Sequence, residues 1–176
     1  MNAPEPITGI RGWLRAQGAA YRGDAKDRPL AGYLTLISVY GAGTVATGLV
    51  AKRLGRRAPD RLGAWDVAQM AVATHRLART ISKDPVTSPL RAPFTTFAGT
   101  SAPGELKEEV RGHGLKHSAG ELISCPMCLG QWVATAFCLG LVVAPKLTRL
   151  TMSTFTAVAG ADFLQHLYVY LQQATE

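Results

Sequence analysis

The sequence predicts an all-α fold: a small integral membrane helical bundle of three to four transmembrane helices with an irregular cytoplasmic loop. Three observations predict it. Of the 176 residues, 47% are apolar and only 18% charged, below the roughly 25% charged usual in soluble domains. The charges crowd into the first 30 residues, 52–61 and 76–121. Outside these lie uncharged stretches of 19 residues over 32–50, 24 over 122–145 and 12 over 150–161. About 20 helical residues cross a hydrocarbon core.

Residues 1–29 form a polar leader rich in Gly, Pro and Arg. A removable signal would place an apolar run near the start, so the first span is expected to act as an anchor. The "IRGWLR" stretch at 10–15 fits a segment lying on the membrane surface with Trp13 at headgroup depth. Residues 30–51 are the first membrane helix. It carries Gly41, Ala42, Gly43, Ala46, Thr47 and Gly48, small residues that let membrane helices approach closely. That face suits the rest of the bundle, a second copy of the chain or another membrane protein.

Residues 52–63 are a basic linker, and 64–172 the core of the bundle, followed by a tail at 173–176. The first core segment, 64–81, is short and carries Asp66, His75, Arg76 and Arg79; it either crosses as a fourth span or lies flat. The following loop holds Lys83, Asp84 and Arg91. Its prolines at 85, 89 and 93 recur every four residues, so an extended path is expected. Glu108 and Glu109 read as a solvated charge run.

The next apolar stretch, 122–145, opens on C-x-x-C. Ser124 or Cys125 suits the N-cap and Pro126 the first turn. A helix N-terminus lowers a thiol's pKa, which favours two functions for Cys125 and Cys128. With His113 and His117, spaced i, i+4 if helical, they would supply the four ligands of a zinc site. Alone they would serve as an attacking and a resolving thiol. The alternative is packing at the helix mouth. Cys138, ten residues on, reads as a small apolar residue.

The last span starts near Leu150. Asp162 falls about 18 Å along it at 1.5 Å per residue. A lone carboxylate at that depth costs about 2.5–3.5 kcal/mol, so Asp162 is expected to pair with His75, Arg76 or Arg79, with His166 one turn on. These five residues are the predicted intramembrane polar cluster.

Orientation follows from the basic residues. The 19 Lys and Arg divide as five before the first span, five in 52–61, seven from Arg76 to Lys116, and two at Lys146 and Arg149. Three spans and four spans both leave twelve on one face and seven on the other. Both put the 82–120 loop, the C-x-x-C and the C-terminus in the cytoplasm. The basic residues are dispersed and accompany no nucleic-acid reader motif. The net charge of +7 therefore points to anionic lipid. Neither standard phosphate-cradling glycine loop is present, nor a serine-nucleophile elbow.

The stretches "ATHRLARTISKDPVTSPLRAPFTTF", "GELISCPMCLGQWVATAF" and "VAGADFLQHLY" together resemble an uncharacterised bacterial membrane-protein family, the domain of unknown function 1360. The resemblance covers roughly residues 66–170. It implies a small integral protein of the bacterial inner membrane and carries no established activity, substrate or cofactor. His113 matches no motif of the family. The leading functional reading is a non-enzymatic structural, accessory or interaction protein with a polar cluster at the cytoplasmic face. The alternatives are a cytoplasmic-face zinc or thiol-redox protein using the Cys125–Cys128 pair, and a small oligomeric transporter.

Overall fold

A computed structural model describes residues 9–22, 28–59 and 61–174. The rest of the leader, Asp60 and the last two residues of the tail lie outside the described residues. The chain runs α1 (Ile10–Arg22), α2 (Leu30–Arg53), α3 (Ala64–Lys83), a 3-10 turn (Pro85–Thr87), α4 (Ser88–Arg91), β1 (Thr95–Ala102), β2 (Glu105–Val110), α5 (Leu115–Ser124), α6 (Pro126–Val143) and α7 (Pro145–Gln173).

Side-chain contacts set the helix directions. Arg149 grips Asp66 with two hydrogen bonds, Nε to Oδ1 and Nη2 to Oδ2, each 3.0 Å. Further along, Gln69 donates to Ser153 and accepts from Thr156 through its carbonyl. At the far end Arg76 meets Asp162. Residue numbers rise together, so α3 and α7 are parallel. On α2, Tyr33 donates to Glu121 of α5 at 2.5 Å and Tyr40 shares a 2.6 Å hydrogen bond with Thr135 of α6, so α2 runs in the same sense as the chain through α5 and α6. Between α3 and α6 the order reverses: Gly130 lies near Thr74, and Cys138 Sγ is 3.5 Å from Met70 Sδ. The result is an up–down bundle of α2, α3, α6 and α7. The hairpin, α4 and α5 lie at the end where α3 stops.

The core is small. Ala73, Val133, Phe137, Leu141 and Met152 form its buried cluster, flanked by Met70, Leu77, Leu129 and Phe155. Two glycines permit the close contacts around α5. A Cβ on Gly32 would sit 2.3 Å from Ser118 Oγ, and one on Gly120 would sit 2.6 Å from Val110 Cγ1 and 3.1 Å from the Phe94 carbonyl.

The fold departs from the all-α expectation in the loop. β1 and β2 form an antiparallel two-stranded sheet with register irregularities after Phe97 and Thr100. They turn at Pro103–Gly104, where Gly104 has φ +77°, a conformation glycine adopts without steric cost. The proline-rich stretch is also not extended. Pro85 and Pro89 start short helical turns, where a missing N–H loses no hydrogen bond. A third difference is a break in the 122–145 stretch: its first three residues finish α5, and α6 starts afresh after Cys125.

Arg91 ties this end together and is fully buried. Its Nε and Nη2 hold the Glu108 carboxylate at 2.6 and 3.1 Å. Nη1 donates to the Ile81 carbonyl and Thr87 Oγ1, both 2.7 Å away, and Nη2 also donates to the Asp84 carbonyl at 3.1 Å. All five guanidinium N–H groups therefore have acceptors. Glu108 is thus a buried partner, contrary to its reading as solvated. In a strand adjacent residues face opposite ways, so Glu108 turns in and Glu109 out. Removing Arg91 strands a buried carboxylate, and a lysine cannot reproduce the fork. Arg91→Ala is expected to cost about 3–5 kcal/mol; Arg91→Lys should fall between it and the unaltered protein. Thermal unfolding of the purified variants measures the order.

Candidate functional site

The last two turns of α3, the middle of α7 and the hairpin tip surround a cleft of about 890 Å³. His75, Arg76, Arg79, Asp162 and His166 all line it, joined by Asp84 and Glu105. A helix places residues three or four apart on one side, which gathers His75, Arg76 and Arg79 from α3, and Asp162 and His166 from α7. Asp84 enters because α3 ends there with extended backbone.

Arg76 is the centre of the charge arrangement. Its Nε lies 2.7 Å from Asp162 Oδ2; this is a charge contact, since the N–H is not aligned as a hydrogen bond. Its Nη1 donates to Thr80 Oγ1 at 2.7 Å and to Asp84 Oδ2 at 3.2 Å. Arg79 pairs with Glu105 across to the hairpin. His166 Nδ1 meets the Asp162 backbone carbonyl at 2.7 Å, while the His75 ring is exposed. Arg76, not His75 or Arg79, is thus the partner of Asp162. In the loop motif, Asp84 reaches the cleft, Arg91 supports the hairpin from beneath, and Lys83 is not part of the lining.

Sequence reasoning missed Glu105. The signal available was Pro103-Gly104, a turn dipeptide between residues of strand character. It also missed the cluster at the start of α2, where Arg28 and Tyr33 both bond Glu121 at 2.8 and 2.5 Å.

The thiols lie apart from this cleft's lining. Cys125 caps α6, its Sγ accepting from the Cys128 N–H at 3.3 Å. Cys128 lines a second, largely apolar groove with Tyr33, Tyr40 and Trp132. Cys138 is exposed beside Met70. The four residues proposed for zinc do not assemble. Gly112 and Gly114 have φ of +90° and +61°, so α5 starts after His113, and the i, i+4 relation to His117 is lost. His117 instead lies 3.4 Å from Glu121. Among the described residues no three His, Cys, Asp or Glu side chains converge as metal ligands, so they do not fit a closed four-ligand zinc site.

This architecture defines a mostly helical bundle protein with a cleft at one end lined by seven titratable side chains. Residues 69–168 match the family described as protein of unknown function (DUF1360), and the chain belongs to that family. The match begins within α3 and ends within α7, so it takes in every predicted cleft residue and both thiols of the C-x-x-C. No curated protein and no solved structure matches the chain.

Burial raises the pKa of the Cys125 thiol, but hydrogen bonds from Cys128 and from the Met127 backbone, with the charge of Lys83, outweigh it and hold the thiol below its ordinary value. The lower the pKa, the larger the thiolate fraction at a given pH. In a Cys138→Ala background, alkylation of Cys125 by iodoacetamide should switch on at lower pH than for a free thiol. Cys128→Ala should move that midpoint upward; an unchanged midpoint would mean that Cys128 does not set it.

Proposed function

We propose that the chain is a multi-pass protein of the bacterial inner membrane, with α2, α3, α6 and α7 as spans and both termini cytoplasmic. Its role on this reading is structural, accessory or interactive rather than catalytic. One observation carries the membrane reading: the apolar side chains of the long helices point outward. α2 and α6 are long and apolar enough to cross a bilayer, yet only 6% and 17% of their most apolar windows are buried in the protein. Leu34, Ile37, Val45 and Leu49 on α2, Trp65 and Val72 on α3, and Leu150 and Leu164 on α7 are all exposed. Water disfavours so large an apolar surface on a lone chain, whereas lipid tails solvate it.

Four spans, rather than three, are supported by the lengthwise packing of α3 between α6 and α7. Asp66 and Gln69, the polar residues of its first half, are satisfied by Arg149, Ser153 and Thr156. Orientation rests on the basic-residue count: the leader, the hairpin end and the C-terminus then share the face with twelve. A structural or ligand-holding role is supported by the cleft's own pairing, since its guanidinium groups are engaged by carboxylates. The exposed face of α2 around Gly43 and Gly48, with no neighbouring atoms, suits a second copy or another membrane protein. The thiol-redox alternative is supported by the Cys128–Cys125 contact and the lowered Cys125 pKa.

Topology is testable in intact cells. In a protein with Cys125, Cys128 and Cys138 changed to Ser, single cysteines at Arg57, Ser101 and Gln173 would be treated with a membrane-impermeant maleimide. With the outer membrane permeabilised and the inner membrane intact, Arg57→Cys is expected to react, and Ser101→Cys and Gln173→Cys only after lysis. The reverse pattern inverts the orientation. Recovery of the chain in the soluble fraction defeats the membrane reading.

A further inference from the structure

We propose that the cleft between α3, α7 and the hairpin tip binds an organic cation, an ammonium or phosphonium charge carried on an apolar body. This rests on the cleft and goes beyond the membrane role. Its size, about 890 Å³, falls within the range of small-molecule sites.

Charge sets the sign of the ligand. Two guanidinium groups, Arg76 and Arg79, face three carboxylates, Asp84, Glu105 and Asp162, in the lining. Among these groups the carboxylates outnumber the guanidinium groups by one. Each arginine is already occupied. Arg76 is divided between Asp84 and Asp162, contacting Oδ2 of each, and Arg79 contacts Oε1 of Glu105. The Asp162 side chain remains 49% exposed, leaving its other oxygen available to the cleft. An anion would have to sit beside three carboxylates. A cation meets the half-exposed Asp162 carboxylate and leaves the arginine pairs in place.

The walls set the chemical class. Pro85, Val86, Ala159 and Phe163 supply apolar lining, and Val86 and Phe163 are 81% and 71% exposed. A hard metal ion wants six or more oxygens and gains nothing from these groups, and no three metal-ligating side chains converge among the described residues. An organic cation can bury its apolar part there, against an aromatic side chain of the kind that attracts such a charge.

The test is equilibrium dialysis of the detergent-purified full chain with tetraphenylphosphonium, against tetraphenylborate as a probe of the same shape and opposite charge. Protein-free micelles give the background. The expected result is saturable phosphonium binding, about one per chain, with no saturable borate binding. Glu105→Gln should weaken phosphonium binding by about threefold to fivefold, the scale of an exposed ion contact. Asp162→Asn should weaken it further. If that variant does not fold, Glu105→Gln, at the exposed hairpin tip, decides alone. Borate binding as tightly as phosphonium, phosphonium at micelle background, or unchanged affinity in Glu105→Gln each overturns the proposal. Because the measurement is made in micelles, its outcome is independent of membrane orientation.

Discussion

Parallel alignment of α3 and α7, fixed by an ion pair towards each end, is the constraint on which the rest of the molecule depends. Arg149 grips Asp66 near the start of both helices, and Arg76 meets Asp162 near the end of α3. With few residues fully buried, the helices have little core to hold their register. Polar contacts and close packing therefore carry more of the association. Once α7 lies along α3, α6 must return antiparallel, and the tight turn at Ala144 suffices to join them. The Thr148 side chain packs against Gly140 at that turn.

The two kinds of charge pairing in this chain differ in energy. Arg91 and Glu108 are buried, and breaking them leaves an uncompensated charge, so they govern whether the hairpin holds its place. Arg76 with Asp162 and Arg79 with Glu105 are partly exposed, where an ion pair contributes about 0–1 kcal/mol. These pairs set position more than stability: they put α7 and the hairpin tip on opposite sides of one cleft.

The helices and the polar cluster were legible because both rest on simple periodicity and on the cost of a lone carboxylate in an apolar helix. Asp162 had to find a cation, and i, i+4 spacing placed His166 beside it. The hairpin was not legible. Gly99 and the register irregularities break the alternation that would mark β1, and the prolines before it read as extended chain although they head helical turns. Glu108 and Glu109 looked equivalent as a charge run, and only a strand's two-residue period separates them. The zinc reading failed for a related reason: His113 and His117 needed one continuous helix, and the positive-φ glycines on either side of His113 keep it out of α5. Breaks in regular structure decided these cases, and hydropathy averages conceal such breaks.

The parallel register of α3 and α7 can be read by disulfide cross-linking. In a chain without native cysteines, Gln69→Cys with Ser153→Cys should cross-link rapidly under mild oxidation, because the native side chains touch at 2.9 Å. Gln69→Cys with His166→Cys should not, since those positions lie at different ends of the helix pair. Efficient bonding of 69 to 166 with none to 153 would mean that α7 runs the other way, and the cleft described above would not exist.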